Sequence, residues 1–190
     1  MKLTVLLENT ACSDEFAHAH GLSILLETGS QNILLDMGPG AQFAENAQKL
    51  GIDLSQVDYS VLSHGHYDHG GGLDVFFRRN KTAPVYVAPG AFLHHTSTAG
   101  EEIGLSANLR RHPQIVTTAE CYRIAQNAYL FSSVHGTEFC SSINASLLED
   151  GFPDSFTHEQ NLMLEENGKL LELAKKYNFE NVLNVTENID

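Results

Sequence analysis

The segment Val61-Leu62-Ser63-His64-Gly65-His66-Tyr67-Asp68-His69-Gly70-Gly71-Gly72-Leu73 carries an apolar run into a cluster of metal-type donors and then into three glycines. Asp58–Ser63 (DYSVLS) reads as a buried strand. Directly after it, three imidazoles and one carboxylate fall within six residues, four potential ligands for a borderline divalent ion such as zinc. On a loop leaving a strand, His64 and His66 can turn to one side while Asp68 and His69 turn to the other. One short segment can then contribute to two adjacent ion positions. The glycines let the backbone fold close around such ions, where a side chain would collide. A solvated histidine-rich loop is the competing reading, but it gives no reason for all four donors to gather at a strand exit.

Outward from this segment, the pattern alternates strands with helices. Upstream, Lys2–Glu8 (KLTVLLE) is a β-rich run, and Asn9–Gly21 is polar and loop-like. Leu22–Glu27 and Asn32–Asp36 flank a Gly-containing turn and predict a hairpin, the second run apolar nearly throughout as in a strand covered on both faces. After Gly38-Pro39-Gly40, the positions Phe43, Ala44, Ala47 and Leu50 have helical spacing, and Gly51 supplies the stop. Downstream, Leu73–Asn80 predicts a helix and Pro84–Ala88 a strand, with a short helix beginning at Ala91–His95. Gln114–Thr118, Cys121–Ala125 and Ala128–Ser132 read as a β meander. Val134–Gly151 reads as an irregular loop, Asn161–Glu165 as a strand and Leu170–Tyr177 as a helix-compatible run. The sum is an α/β layered domain.

Composition narrows the function classes. The 190 residues hold 11 Lys+Arg, 24 Asp+Glu and 10 His, a formal charge of −13 with neutral histidines. A phosphate-tracking face needs clustered Lys/Arg, so neither nucleic acid nor an anionic membrane is expected as a partner. No apolar run reaches the ~18–20 residues of a membrane span. The opening MKLTVLLENT reads as a first strand rather than a signal peptide. Cys12, Cys121 and Cys140 form no paired framework and no CxxC, which predicts reduced thiols in a cytoplasmic protein. None has basic neighbours that favour a thiolate, so small buried apolar roles are expected of them. Histidines nearly as numerous as all the cations together point toward metal.

HxHxDH after a hydrophobic strand, preceded by a strand ending in Leu35-Asp36-Met37-Gly38, resembles the metallo-β-lactamase-fold superfamily of metal-dependent hydrolases. The stretches LLENT, HGLSILLETG, LLDMG, VLSHGHYDHGGGL and HEQNLMLEENGK are most similar to its 7,8-dihydropterin-6-yl-methyl-4-(β-D-ribofuranosyl)aminobenzene-5′-phosphate synthase-like branch. The resemblance is strong over residues 1–95, weak over 96–150 and returns at 151–169. It implies an α/β fold, the metallo-β-lactamase-like αββα sandwich, as a single domain over 1–190 with 170–190 divergent.

Carried over by position, the resemblance implies that His64 and His66 hold a first divalent ion, and Asp68 and His69 a second. His158 is the candidate third ligand of the first ion; taken alone, it reads as a surface histidine near a strand start. Zinc is the expected ion, with manganese or iron as alternatives, in one or two copies. Asp36 resembles a carboxylate that orients a ligand imidazole through its other N–H. His20 sits where relatives carry a pocket-facing polar residue, or else faces solvent. His94, His95, His112 and His135 lack ligand spacing and read as surface residues.

The resemblance implies a hydrolase, or a related transferase, that uses a metal-activated water on a small polar, even phosphorylated, substrate. Asp68 is then both ligand and catalytic proton acceptor. Relatives follow the LMLEENGK-like stretch with a Gly-Cys-Ser/Ala-His turn and later a Gly-Gly-x-His-like segment, which supply further ligands. Here no histidine follows His158. That departure predicts a sandwich incomplete at its C-terminal side and opens a second reading, a catalytically inactive remnant that binds metal or is purely structural. It also suggests a homodimer in which a second copy covers the bare sheet.

Overall fold

The structure, a computed structural model, describes residues 1–133, 142–166 and 169–173. Its first sheet is built from β1 (Lys2–Leu7), β2 (Ser23–Glu27), β3 (Asn32–Leu35), β4 (Tyr59–Val61), β5 (Val85–Val87) and, after the short β6 (His95–Ser97), β7 (Ile115–Thr117). The spatial order is β1-β2-β3-β4-β5-β7. Strands β1 to β3 pair antiparallel, and β3, β4, β5 and β7 run parallel. The crossovers carry α1 (Gln42–Lys49) and α3 (Leu73–Arg79), while α2 (Tyr67–Gly70) is a single turn inside the histidine motif.

A second, antiparallel sheet has the order β13-β12-β9-β8, made from β8 (Cys121–Ala125), β9 (Ala128–Ser132), β12 (Gln160–Glu166) and β13 (Lys169–Leu173). A small third sheet joins β6 to β10 (Leu147–Glu149) and β11 (Phe152–Pro153).

The β2–β3 hairpin shows why its sequence is apolar at nearly every position. Leu25 pairs with Leu34 and faces the helices, where Phe43, Phe76 and Leu73 complete one core. Ile24 opposite Leu35 and Leu26 opposite Ile33 face the other way, onto Ala128, Leu130, Leu162 and Leu164 of the second sheet. The layers therefore run helices, sheet, sheet. A second helical layer is not represented among the described residues.

Three sequence expectations change. The predicted helix at Ala91–His95 is one turn only, closed by Leu93 N–H to the Gly90 carbonyl at 3.0 Å. His95-Thr96-Ser97 then pairs with β10 (His95 opposite Glu149, Ser97 opposite Leu147), and that ladder overrides the helix. Residues Leu170–Leu173, expected as the start of a helix, lie in β13, since the hairpin register that pairs Glu166 with Lys169 carries the leucines up the side of β12. The remainder of that expected helix, and the loop residues 134–141 with His135 and Cys140, lie outside the described residues. Cys12 and Cys121, expected to be buried, are exposed.

Candidate metal centre

Strand β4 ends against Asp36, the residue after β3, and the motif turns there. Asp36 is fully buried with φ +56°, a left-handed conformation that a short carboxylate tolerates better than a branched or bulky residue. It accepts the Ser63 N–H on Oδ1 at 2.7 Å, and the Ser63 hydroxyl and His69 Nδ1 on Oδ2, each at 2.6 Å. A carboxylate only accepts, so His69 carries its proton on Nδ1. The Ser63 hydroxyl has given its single hydrogen to Asp36, so its 3.1 Å contact with His64 Nδ1 is a bond it accepts. One buried carboxylate therefore sets two imidazoles, directly and through Ser63, with Nε2 as the acceptor nitrogen of each. This is the orienting role the sequence suggested for Asp36.

Those imidazoles form one donor group with Asp68. One atom each from His64, Asp68 and His69 lies within 4.8 Å of the others. His69 Nε2 and Asp68 Oδ2 face each other at 3.2 Å. Two acceptor atoms at that separation are a cation-binding arrangement, so the residues fit a divalent ion. Asp68 is the more open member, with His20 Nε2 3.6 Å from its Oδ2 and largely in solvent. His20 thus stands at the rim.

A second group gathers His66, His95, Asp154 and His158, again with one donor atom each within 4.8 Å. Asp154, His95 and His158 side chains are 0% exposed, and that of His66 is 10%. Asp154 Oδ1 accepts the Phe156 N–H at 2.7 Å, which turns Oδ2 toward the imidazoles. Its distances are 3.1 Å to His158 Nε2, 3.5 Å to His95 Nδ1 and 3.7 Å to His66 Nε2. Burial pushes the Asp154 carboxyl up, but the hydrogen bond from His158 and the facing imidazoles of His66 and His95 outweigh it and hold it well below the usual carboxylate range. Burial dominates at His158 and lowers it to about 4 despite Asp154, so this ring is neutral at pH 7. At His95 burial also lowers the value, but Asp154, the Gly90 carbonyl and Glu149 together raise it above its ordinary one.

The motif's tight packing depends on Gly65. A Cβ there would stand 2.4 Å from the Ala91 carbonyl oxygen, so no larger residue fits without moving backbone. Gly65 N–H in turn donates to His158 Nδ1 at 3.0 Å, tying the motif to the chain 93 residues later.

The four donors of the motif and His158 all come together, but in a different partition from the one expected. His64 groups with Asp68 and His69, and His66 with His158. The histidine rings of the two groups adjoin, His64 to His66 at 4.6 Å between centroids. Sequence reading missed Asp154 and placed His95 on the surface. In the structure His95 is completely buried, because β6 pairing turns it inward. Its signal was weak: adjacent His94 and His95, of which one must face in on a strand. His94 is exposed and pairs with Glu102. His112 is half-buried, stacked on Phe77 at 3.7 Å.

A mixed α/β fold with a strand-exit cluster of histidines and aspartates able to hold a metal ion defines the class. The sequence model of the metallo-beta-lactamase superfamily matches residues 19–120, and the chain belongs to that superfamily. Among curated proteins, it is 35% identical over 102 residues to the 7,8-dihydropterin-6-methyl-4-(beta-D-ribofuranosyl)-aminobenzene-5'-phosphate synthase of Methanocaldococcus jannaschii, covering 48% of this chain and 34% of that one. It is 40% identical over 68 residues to a ribonuclease of Thermus thermophilus, covering 35% and 16%. The solved structure of Tm1679, described as a metal-dependent hydrolase of the beta-lactamase superfamily, superposes with a TM-score of 0.74 at 24% identity, over 90% of this chain and 64% of that one. The chain thus spans about a third or less of these curated relatives and under two thirds of the solved one.

Proposed function

We propose that this protein is a metal-dependent hydrolase, or a related transferase, acting on a small polar substrate. The observation that carries the reading is the His64–Asp68–His69 group, whose two imidazoles are set with acceptor nitrogens toward a carboxylate by Asp36 and Ser63. These three residues would hold a divalent ion, zinc being the best fit to a nitrogen-rich donor set and manganese or iron the alternatives. Bound there, such an ion lowers the pKa of a water and polarises a carbonyl or phosphoryl oxygen. The chain's own residues do the rest. Asp68, at the open side, takes up the proton released by the attacking water. Asp36 and Ser63 keep His64 and His69 from turning their N–H groups inward.

A phosphorylated substrate is supported by the name of the Methanocaldococcus relative, a phosphate synthase. The ribonuclease relative supports nucleic acid less well, because a charge of −13 repels a polyanion. Among the described residues no helix is long and apolar enough to cross a membrane.

The test pairs elemental analysis of the purified chain with turnover of phosphomonoester, phosphodiester, ester and lactone substrates. Bound metal, and turnover abolished by chelator, restored by zinc, manganese or iron and lost in His69→Ala, is the expected result. Turnover indifferent to chelator overturns the proposal. Metal bound without turnover on any of them selects the second reading, a metal-binding domain without catalysis.

A further inference from the structure

Strand β1 ends the first sheet, and no described strand pairs with its outer side. Hydrogen-bond parity shows what that side offers. Asp36 N–H donates to the Val61 carbonyl at 3.0 Å, so Leu34 and Asp36 face β4, while Ile33 and Leu35 face β2. Their β2 partners Leu26 and Ile24 face back, which leaves Leu25 and Glu27 to bond Thr4 and Lys2 of β1. Leu3 and Val5 therefore turn their N–H and C=O groups outward, where no described group meets them. Beyond Val5 the side is closed. The register shifts there, the Leu6 carbonyl accepts Asn46 Nδ2 at 2.7 Å, and the Glu8 carbonyl accepts the Ala19 N–H at 3.2 Å. The Leu3 and Val5 side chains are open as well. They lie opposite Leu26 and Ile24, on the face turned to the second sheet, but they stay 41% and 44% exposed. Edge strands are ordinarily guarded by a charge or a proline, and Leu3-Thr4-Val5 has neither, the adjacent Lys2 being held on Glu27 at 2.7 Å.

We propose that β1 is the contact surface for a second copy of this chain, paired antiparallel about a two-fold axis at Thr4. In that register Leu3 faces Val5 of the second copy, and Val5 faces its Leu3. Each Leu3 N–H donates to a Val5 carbonyl and each Val5 N–H to a Leu3 carbonyl, so every outward group on both strands is satisfied. On the face turned to the second sheet, the exposed Leu3 and Val5 cover one another across the axis, and on the opposite face Thr4 meets Thr4. Charge selects the antiparallel sense. Each strand has an exposed Lys2 at one end and an exposed Glu8 at the other, so opposed strands bring unlike ends together and parallel strands like ends. A register centred on Val5 would set Leu3 against Leu7, which already pairs with Ser23 in its own sheet. The occupant of this edge is thus a strand with the same short apolar stretch, in the same order, running the other way.

Sedimentation velocity of the full chain, from micromolar to millimolar loading, is expected to show a monomer–dimer equilibrium that EDTA does not alter. Leu3→Pro removes an outward N–H while leaving the bonds between β1 and β2 in place. It should weaken the dimer about 30-fold, through two symmetry-related hydrogen bonds at their usual net worth. Val5→Lys puts a charge on the apolar contact and should abolish the dimer, and it serves if circular dichroism shows the proline variant unfolded. The register is read by crosslinking, with Cys12, Cys121 and Cys140 replaced by serine. Thr4→Cys should then form an intermolecular disulfide under mild oxidation, since facing residues at the axis lie about 5 Å apart between Cβ atoms. Lys2→Cys should not, because Lys2 is set against Leu6 of the second copy. A wild type that stays monomeric at every concentration overturns the proposal, as does a dimer that keeps its affinity in both Leu3→Pro and Val5→Lys. A dimer that crosslinks through Lys2→Cys and not through Thr4→Cys overturns the pairing about Thr4. None of these readouts involves bound metal or turnover, so the hydrolase reading is tested separately.

Discussion

Replacing Asp36 by asparagine should separate metal affinity from fold stability. The side chain keeps its shape, and asparagine tolerates the φ of +56°. The amide oxygen still accepts the Ser63 N–H now bound at 2.7 Å. The amide nitrogen, however, faces the Ser63 hydroxyl and His69 Nδ1, both at 2.6 Å and both donors in the native arrangement. The least costly response moves protons: His69 Nδ1 becomes an acceptor, and the Ser63 hydroxyl turns its hydrogen onto His64 Nδ1, 3.1 Å away. Both rings then carry their proton on Nε2, the nitrogen that faces the ion position. Exchanging charge-assisted for neutral hydrogen bonds should cost about 1–3 kcal/mol of folding free energy. Ion affinity should fall further, at least ~100-fold, at the upper end of what removing an orienting partner does. Asp36→Ala is the contrasting control, since it strands three buried donors and puts alanine in a left-handed conformation, for about 4–6 kcal/mol. Urea denaturation in EDTA reads stability, and Zn²⁺ calorimetry reads affinity. An Asp36→Asn protein that binds zinc like wild type would refute the proton assignment.

Three other outcomes follow from the same structure. Acidification from pH 7 to 4 should destabilise the ion-free protein: His158 titrates near 4 when folded and near 6.5 when unfolded, so the unfolded chain takes up the proton first, costing about 3 kcal/mol once pH is below both values. Asp154, held low, adds to the loss below the usual carboxylate value, while His95, held high, offsets part of it. Urea midpoints across this range should slope less in His158→Gln, and an unchanged slope counts against the assignment. Gly65→Ala should cost about 2–3 kcal/mol and lower the thermal midpoint, because the new methyl meets the Ala91 carbonyl at 2.4 Å. Phe43→Ala, at a completely buried site, should cost about 3–5 kcal/mol, against under about 0.5 for Phe152→Ala, which is 74% exposed; equal losses by denaturant titration would contradict the placement of the core.

The first sheet was legible because burial on both faces writes itself as unbroken apolar runs, as in Ile33-Leu34-Leu35, and because Gly38-Pro39-Gly40 and Gly51 bracket α1. The motif was legible for a different reason: its donors are adjacent in sequence, and HxHxDH belongs to few other contexts. What escaped was non-local. His95 is buried by pairing with a strand more than 50 residues away, and Asp154 meets not only His158, four residues on, but also His66 and His95, which no spacing links to it. The partition of His64 from His66 was hidden for the same reason, since each turns toward partners outside its own pair. The β13 hairpin was missed because Leu170-Leu171 satisfies a helical and an extended pattern equally, and only the register with β12 decides between them.

The two donor groups differ in how far along the chain their members lie, and that difference reaches the denatured protein. His64, Asp68 and His69 stay neighbours however the chain is opened, so an unfolded polypeptide keeps some hold on zinc there, and saturating ion would protect the native state less than its affinity suggests. His66, His95 and Asp154 scatter on unfolding. Their meeting is a property of the folded molecule alone, and it is lost with the fold.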